Sequence, residues 1–283
     1  MPKNLWRLVR TGPLSGAMNM ALDEALLKAV AAGRSNPVLR LYRWNPPAVS
    51  LGYFQRGARV VNLEYCQMAG IDVVRRMTGG RAVLHDCEVT YSIIAGVRGA
   101  GFSERVLDNY RRISEALELT LKVIGLDVRM VPGHSNHRAV DTLHSACFTA
   151  PSSYELVCRG CKIAGSSQKR QGDFFLQHGS LPVELDPGRL YRALDTVGRL
   201  ASVDGGRDLA RKVGWINRWL DVPVTVEQVE SCLMASFAAV FSSEFAEQPP
   251  SDAEWREAED LVRQRYGNPA WNLRGIVSES LVE

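Results

Sequence analysis

Apolar and polar positions switch period repeatedly along the chain, and the switches mark its elements. "VLRLYRW" (38–44) alternates as a half-buried strand does, and "PPAVSLGYF" adds a turn and a second strand. Upstream, Ser15 can cap a helix through "AMNMALDEALLKAVAA" that Gly33 ends. "NLEYCQMAG" reads as a short helix capped by Asn62. "IDVVRR" is a β-branched strand running into "MTGGRAVLHD", with the strand "EVTYSII" beyond. In "SERVLDNYRRISEALELTLKVIG", Val106, Tyr110, Ile113, Leu117 and Leu121 form an apolar helical stripe, with Ser103 as the expected cap. After the strand "LDVRMVP", residues 132–146 are polar and poorly periodic, which predicts a loop. "YELVC-RG-CKIAG" predicts a hairpin with an Arg-Gly turn, and "FFLQHGSLPVEL" a further strand. Thr225 starts the helix "TVEQVESCLMASFAAVF", and "AEQPPSD" (246–252) reads as a linker before one more helix. The pattern predicts an α+β (mixed α/β) protein with a main domain over 1–248 and a short helical C-terminal appendage over 249–283.

Composition narrows the setting. The 283 residues are 46% hydrophobic and 23% charged, as in ordinary globular proteins. A net charge of +3, from 34 basic and 31 acidic residues, calls for neither nucleic acid nor an anionic membrane as partner. "MPKNLWRLVRTGPLSG" has no apolar secretory core, and no stretch approaches the roughly 18 apolar residues of a membrane span. Six cysteines are too few for a disulfide scaffold in a chain this long, so reduced thiols and a cytoplasmic location are expected.

Three stretches can carry chemistry. In "RRMTGGRAVLHD" (75–86), two glycines between strands allow a backbone to approach a ligand closely or simply to turn, with Arg76, Arg81, His85 and Asp86 around them. No Walker or G-x-G-x-x-G pattern is present there. Lys162 stands beside apolar Ile163 and Ala164, where it is either desolvated or snorkelling to solvent. Among the cysteines, Cys66 and Cys232 fit helix packing. Cys147 lies in an irregular segment suited to a nucleophile. A zinc site from His144, Cys147, Cys158 and Cys161 is the rival reading. Its ten-residue gap is shorter than zinc ribbons use, so no metal is expected.

"NMALDEALL", "PPAVSLGYFQ", "RRMTGGRAVLHDCEVTYSI", "CFTAPSSYEL", "KIAGSSQKR" and "LQHGSL" occur in that order over roughly residues 5 to 185. Together they resemble the lipoate–protein ligase A/B and biotin ligase superfamily, most closely its LipM-type octanoyltransferase branch. The resemblance implies a mixed β-sheet flanked by helices. It also implies transfer of an octanoyl group from octanoyl-acyl carrier protein to a lysine of a lipoyl domain, such as that of the glycine cleavage H protein, without a cofactor. By the same resemblance Cys147 carries the acyl thioester and Lys162 lowers its pKa. Arg76, Gly79, Gly80, His85 and Gly179 line the acyl pocket, and His85 is also a candidate base. ATP-dependent ligases of the family read "SGGGAV-x-HD-x-GN". Here Arg81 replaces the third glycine and Glu88-Val89 replaces Gly-Asn, which weakens a ligase reading. An amidotransferase acting between lipoyl domains and a zinc-stapled, non-catalytic adaptor also fit these residues.

Overall fold

The computed structural model describes residues 4–131, 154–194 and 205–275. Along them run β1 (Asn4–Leu14), α1 (Gly16–Ala31), β2 (Val38–Trp44), β3 (Ala48–Leu51), α2 (Leu63–Met68), β4 (Asp72–Arg75), β5 (Val83–His85) and β6 (Glu88–Gly96). α3 (Val106–Ile124), β7 (Val128–Val131), β8 (Glu155–Cys158), β9 (Cys161–Lys162), β10 (Gly165–Gln171) and β11 (Phe174–Pro182) follow. The rest comprises α4 (Pro187–Leu194), α5 (Gly205–Ala210), α6 (Val226–Phe241), β12 (Ser243–Glu247), α7 (Asp252–Leu261) and α8 (Pro269–Arg274).

The main sheet is mixed, in the order β10-β11-β6-β2-β1-β12, with β1 parallel to both of its neighbours and the remaining pairs antiparallel. A small sheet, β4-β3-β5, stands beside it, and β7-β8-β9 forms a third. β2 is central, not half-buried as its alternation suggests. Leu39 and Leu41 enter the core under α3 and α6, while Val38, Tyr42 and Trp44 enter the one under α1 and α7. Its misleading residue is Arg40, fully buried and paired with Asp23 at 2.7 Å. Polar alternation signals a solvated face only when the polar group has no buried partner.

α1 begins where expected, with the Ser15 side chain accepting from Met18 N. It is buried on almost every side because the main sheet, β4 and α7 all pack against it. The α3 cap differs from expectation. The helix starts after Arg105, whose side chain makes no cap bond, and Ser103 Oγ instead donates to Asp108 Oδ2 at 3.1 Å.

The N-terminal stretch forms β1, and residues 243–247 pair with it in parallel. Gln248 N then donates to Leu8 O, and Ser251 caps α7 in a reciprocal capping box. Arg7 grips Glu254 through two bonds, of 2.7 and 2.8 Å, and Pro249 O at 2.6 Å. Trp271 and Asn272 of α8 bond to Arg75 at the end of β4, joining the C-terminal helices to the small sheet. No helix among the described residues is long and apolar enough to cross a membrane.

Arg7→Ala leaves the Glu254 carboxylate buried without its main partner. It should therefore cost about 3–5 kcal/mol in urea unfolding, and an effect below about 1 kcal/mol would contradict this anchoring.

Candidate active site

A pocket with about 360 Å³ of free space, part of it open to solvent, lies between the main and small sheets. The register of the main sheet builds its floor. Gly165, Ser180, Thr90 and Tyr42 stand directly opposite one another across β10, β11, β6 and β2. Ser50, Val83, His85 and Arg76 form the facing wall, and Met20 of α1 and Trp44 also line the pocket.

The Thr78–Gly79–Gly80 turn is held by Arg76 rather than left free for a ligand. The Arg76 guanidinium, buried, donates to Gly79 O at 2.8 Å, Arg81 O at 2.7 Å and Ser50 O at 2.9 Å. Gly80 needs its freedom, having φ of 89° and only 2.9 Å between an added Cβ and Arg76 Nη2. Gly79 has no such steric demand, since an added Cβ meets nothing within 4 Å. Gly179 lines the pocket through its backbone. A Cβ there would lie 2.6 Å from both Gly165 O and the Tyr91 ring, so glycine lets β10, β11 and Tyr91 close up.

Two buried acid–histidine–hydroxyl chains border the pocket. In the first, Glu88 Oε1 meets His85 Nδ1 at 2.7 Å, and His85 Nε2 meets Ser50 Oγ at 2.7 Å. Arg76 only donates, so Ser50 accepts from it and has one proton left for His85 Nε2. His85 Nδ1–H then donates to the Glu88 carboxylate. Thr90 and Ser180 also donate to Glu88, and the Trp44 indole N–H donates to Thr90 at 2.7 Å. With both ring nitrogens engaged, His85 serves as wall rather than as a free base.

The second chain runs from Asp23 through His178 to Thr78 and Ser167. Burial pushes the Asp23 carboxyl up, but the Arg40 guanidinium and the bond from His178 outweigh it and hold the group below the usual carboxylate range. Burial dominates at His178, whose pKa falls despite Asp23, so the ring stays neutral. The sequence assigns no role to Asp23, Trp44, Ser50, His178 or Ser180, although each lies in a quoted stretch, and it marks Glu88 only as the replacement of a glycine.

Lys162 does not snorkel. Its side chain is 7% exposed and Nζ pairs with Glu155 Oε1 at 2.5 Å across the β8–β9 hairpin. Three residues later Gly165 begins β10, the strand edging the pocket, so "KIAG" leads from a buried ammonium to the pocket rim. Cys158 and Cys161 oppose each other across that hairpin, as expected. Cys158 belongs to the apolar core, whereas Cys161 Sγ donates to Arg211 O at 3.3 Å. His144 and Cys147 lie outside the described residues. Among the described residues, no group of three or more metal-ligating side chains occurs.

Residues 15–238 match the model of the lipoyl protein ligase A/B catalytic domain. Octanoyltransferase LipM of Kyrpidia tusciae is 40% identical over 95% of this chain and 98% of its own length. Its counterpart from Carboxydothermus hydrogenoformans is 36% identical, again over 95% of this chain and 98% of the relative. In fold, the chain matches the bi-partite lipoate protein ligase of Thermoplasma acidophilum, solved in work that also covered its E2 lipoyl domain. That match has a TM-score of 0.79 at 24% identity and covers 99% of this chain and 100% of the other. The chain belongs to the lipoate–protein ligase A/B family. Its expected fold, a mixed sheet flanked by helices with a helical C-terminal part, is the one observed. The family's glycine-rich motif is here the Arg76-braced turn. Glu88, where ATP-dependent ligases carry glycine, is the carboxylate on which the His85 chain ends.

The pH dependence of stability follows from His178. In the unfolded chain histidine takes a proton near pH 6.5, while in the fold this ring resists it. The unfolded state then binds more protons, so stability is present above about pH 6.5 and declines as pH falls below it. The urea midpoint should therefore drop between pH 7.5 and 5.5, and drop less in His178→Gln. Equal drops would show that His178 is not kept neutral.

Proposed function

We propose that this chain takes an octanoyl group from octanoyl-acyl carrier protein onto Cys147 as a thioester. It then passes the group to a lysine of a lipoyl domain, such as that of the glycine cleavage H protein, in the cytoplasm. Octanoyl transfer in lipoate biosynthesis fits the family and the octanoyltransferases that match 95% of the chain. The observation that carries the mechanism is the buried Lys162–Glu155 pair, three residues along the chain from Gly165 of the pocket floor.

The chemistry balances without ATP. The Cys147 thiolate attacks the donor thioester carbon and expels the carrier's thiolate, which takes a proton from water. The acceptor amine then attacks the enzyme thioester, forms the amide and returns the cysteine thiol. A free thiol has a pKa of about 8.5, so only a small fraction is thiolate at neutral pH. The Lys162 ammonium raises that fraction and stabilises the oxyanion of each tetrahedral intermediate, and Glu155 holds the Lys162 side chain in place. The wall that contains Arg76 and His85 holds the acyl chain.

Octanoyl transfer from carrier protein to H protein, without ATP, tests the assignment. Cys147→Ser should abolish transfer, and Cys158→Ala or Cys161→Ala should retain it. Loss in either hairpin variant with retention in Cys147→Ser would overturn the assignment. Lys162→Ala should slow acylation about tenfold or more at pH 7 and raise the titration midpoint of the thiol; an unmoved midpoint removes that role. ATP–pyrophosphate exchange dependent on free lipoate would instead mark the chain as a ligase.

A further inference from the structure

The pocket has a direction. Of its lining residues Ser166 and Ser167, on edge strand β10, are half-buried and the rest are buried, so the mouth lies there. From that edge the floor runs inward through Ser180 and Thr90 to Tyr42. At the inner end the Trp44 indole stacks on His85, with ring centroids 4.0 Å apart and planes within 10°. This stack closes the gap between β2 of the main sheet and β5 of the small one.

We propose that the Trp44–His85 stack is the stop that sets acyl chain length. The proposal rests on the octanoyl-transfer reading, with the carbonyl at the β10 rim beside the "KIAG" segment. Two strand spacings, about 10 Å, separate β10 from β6, where Thr90 holds the indole. An extended octanoyl group spans about 9 Å from carbonyl carbon to methyl, given carbon–carbon bonds of about 1.5 Å. Its methyl therefore ends against the stack. A twelve-carbon chain is longer by half again and meets the rings.

The stop is rigid because every polar atom behind it is engaged. Swinging the indole breaks its bond to Thr90, and turning the imidazole strips donors and acceptors from Ser50 and Glu88. All of these groups are buried, so the wall cannot open without leaving polar atoms unpaired. The geometry makes Trp44 a specificity-determining residue that touches the acyl tail and takes no part in bond making.

The test compares kcat/KM for octanoyl-, decanoyl- and dodecanoyl-acyl carrier protein with a lipoyl-domain acceptor. In Trp44→Ala the dodecanoyl-to-octanoyl ratio should rise about tenfold or more over wild type. Trp44→Phe keeps a ring but loses the Thr90 bond, so it should rise by less; it carries the test if the alanine variant fails to fold. Unchanged ratios in a folded variant would overturn the proposal. Calorimetry with free octanoate and dodecanoate separates this failure from that of the transfer reading. A wild-type pocket that binds octanoate in preference, with the preference lost in the Trp44 variant, supports the stop even if no transfer occurs. Equal binding of both acids by wild type contradicts it.

Discussion

One buried carboxylate organises the floor of the pocket. Asp23, on α1, accepts from Arg40 and Tyr42 of β2, Ser92 of β6 and His178 of β11. A carboxylate taken out of water is tolerable only when its oxygens are met by donors, and here four supply them. The same bonds fix the height of α1 over three adjacent strands. Through Thr78, His178 also ties the strand floor to the glycine turn. Pocket shape and helix position are thus consequences of one desolvated charge.

Glu88 plays the corresponding part on the inner side. It receives His85, Thr90 and Ser180, and through them it positions Ser50 and the Trp44 indole. Arg76 connects this network to the turn by binding Ser50 as well as the Gly79 and Arg81 carbonyls. A narrow pocket with polar walls frozen in place suits a reaction whose substrate supplies its own activation. The protein's task is then chiefly to position the chain.

Much of this was legible in the sequence because local rules applied. The Ser15, Asn62 and Thr225 caps, the Arg-Gly hairpin and the paired glycines all fall where the residue types place them. What escaped were polar residues used internally. Arg7 and Arg10 interrupt the apolar pattern of β1, and Arg40 mimics a solvent-facing position of β2, yet Arg7 and Arg40 are buried ion-pair partners. Asp23 and Glu88 look like ordinary surface acids until the fold brings their donors together from distant segments. Periodicity records which side chains avoid water, but it carries no record of long-range polar pairing.

The central claim is a covalent acyl-enzyme on Cys147. Its most direct test is to mix the wild-type protein with octanoyl-acyl carrier protein, quench with acid, and read the intact mass followed by peptide mapping. The account predicts one octanoyl group per chain, located on the Cys147 peptide and released by neutral hydroxylamine. An octanoyl group on any other residue, or a chain left unmodified while transfer to the acceptor proceeds, would contradict it.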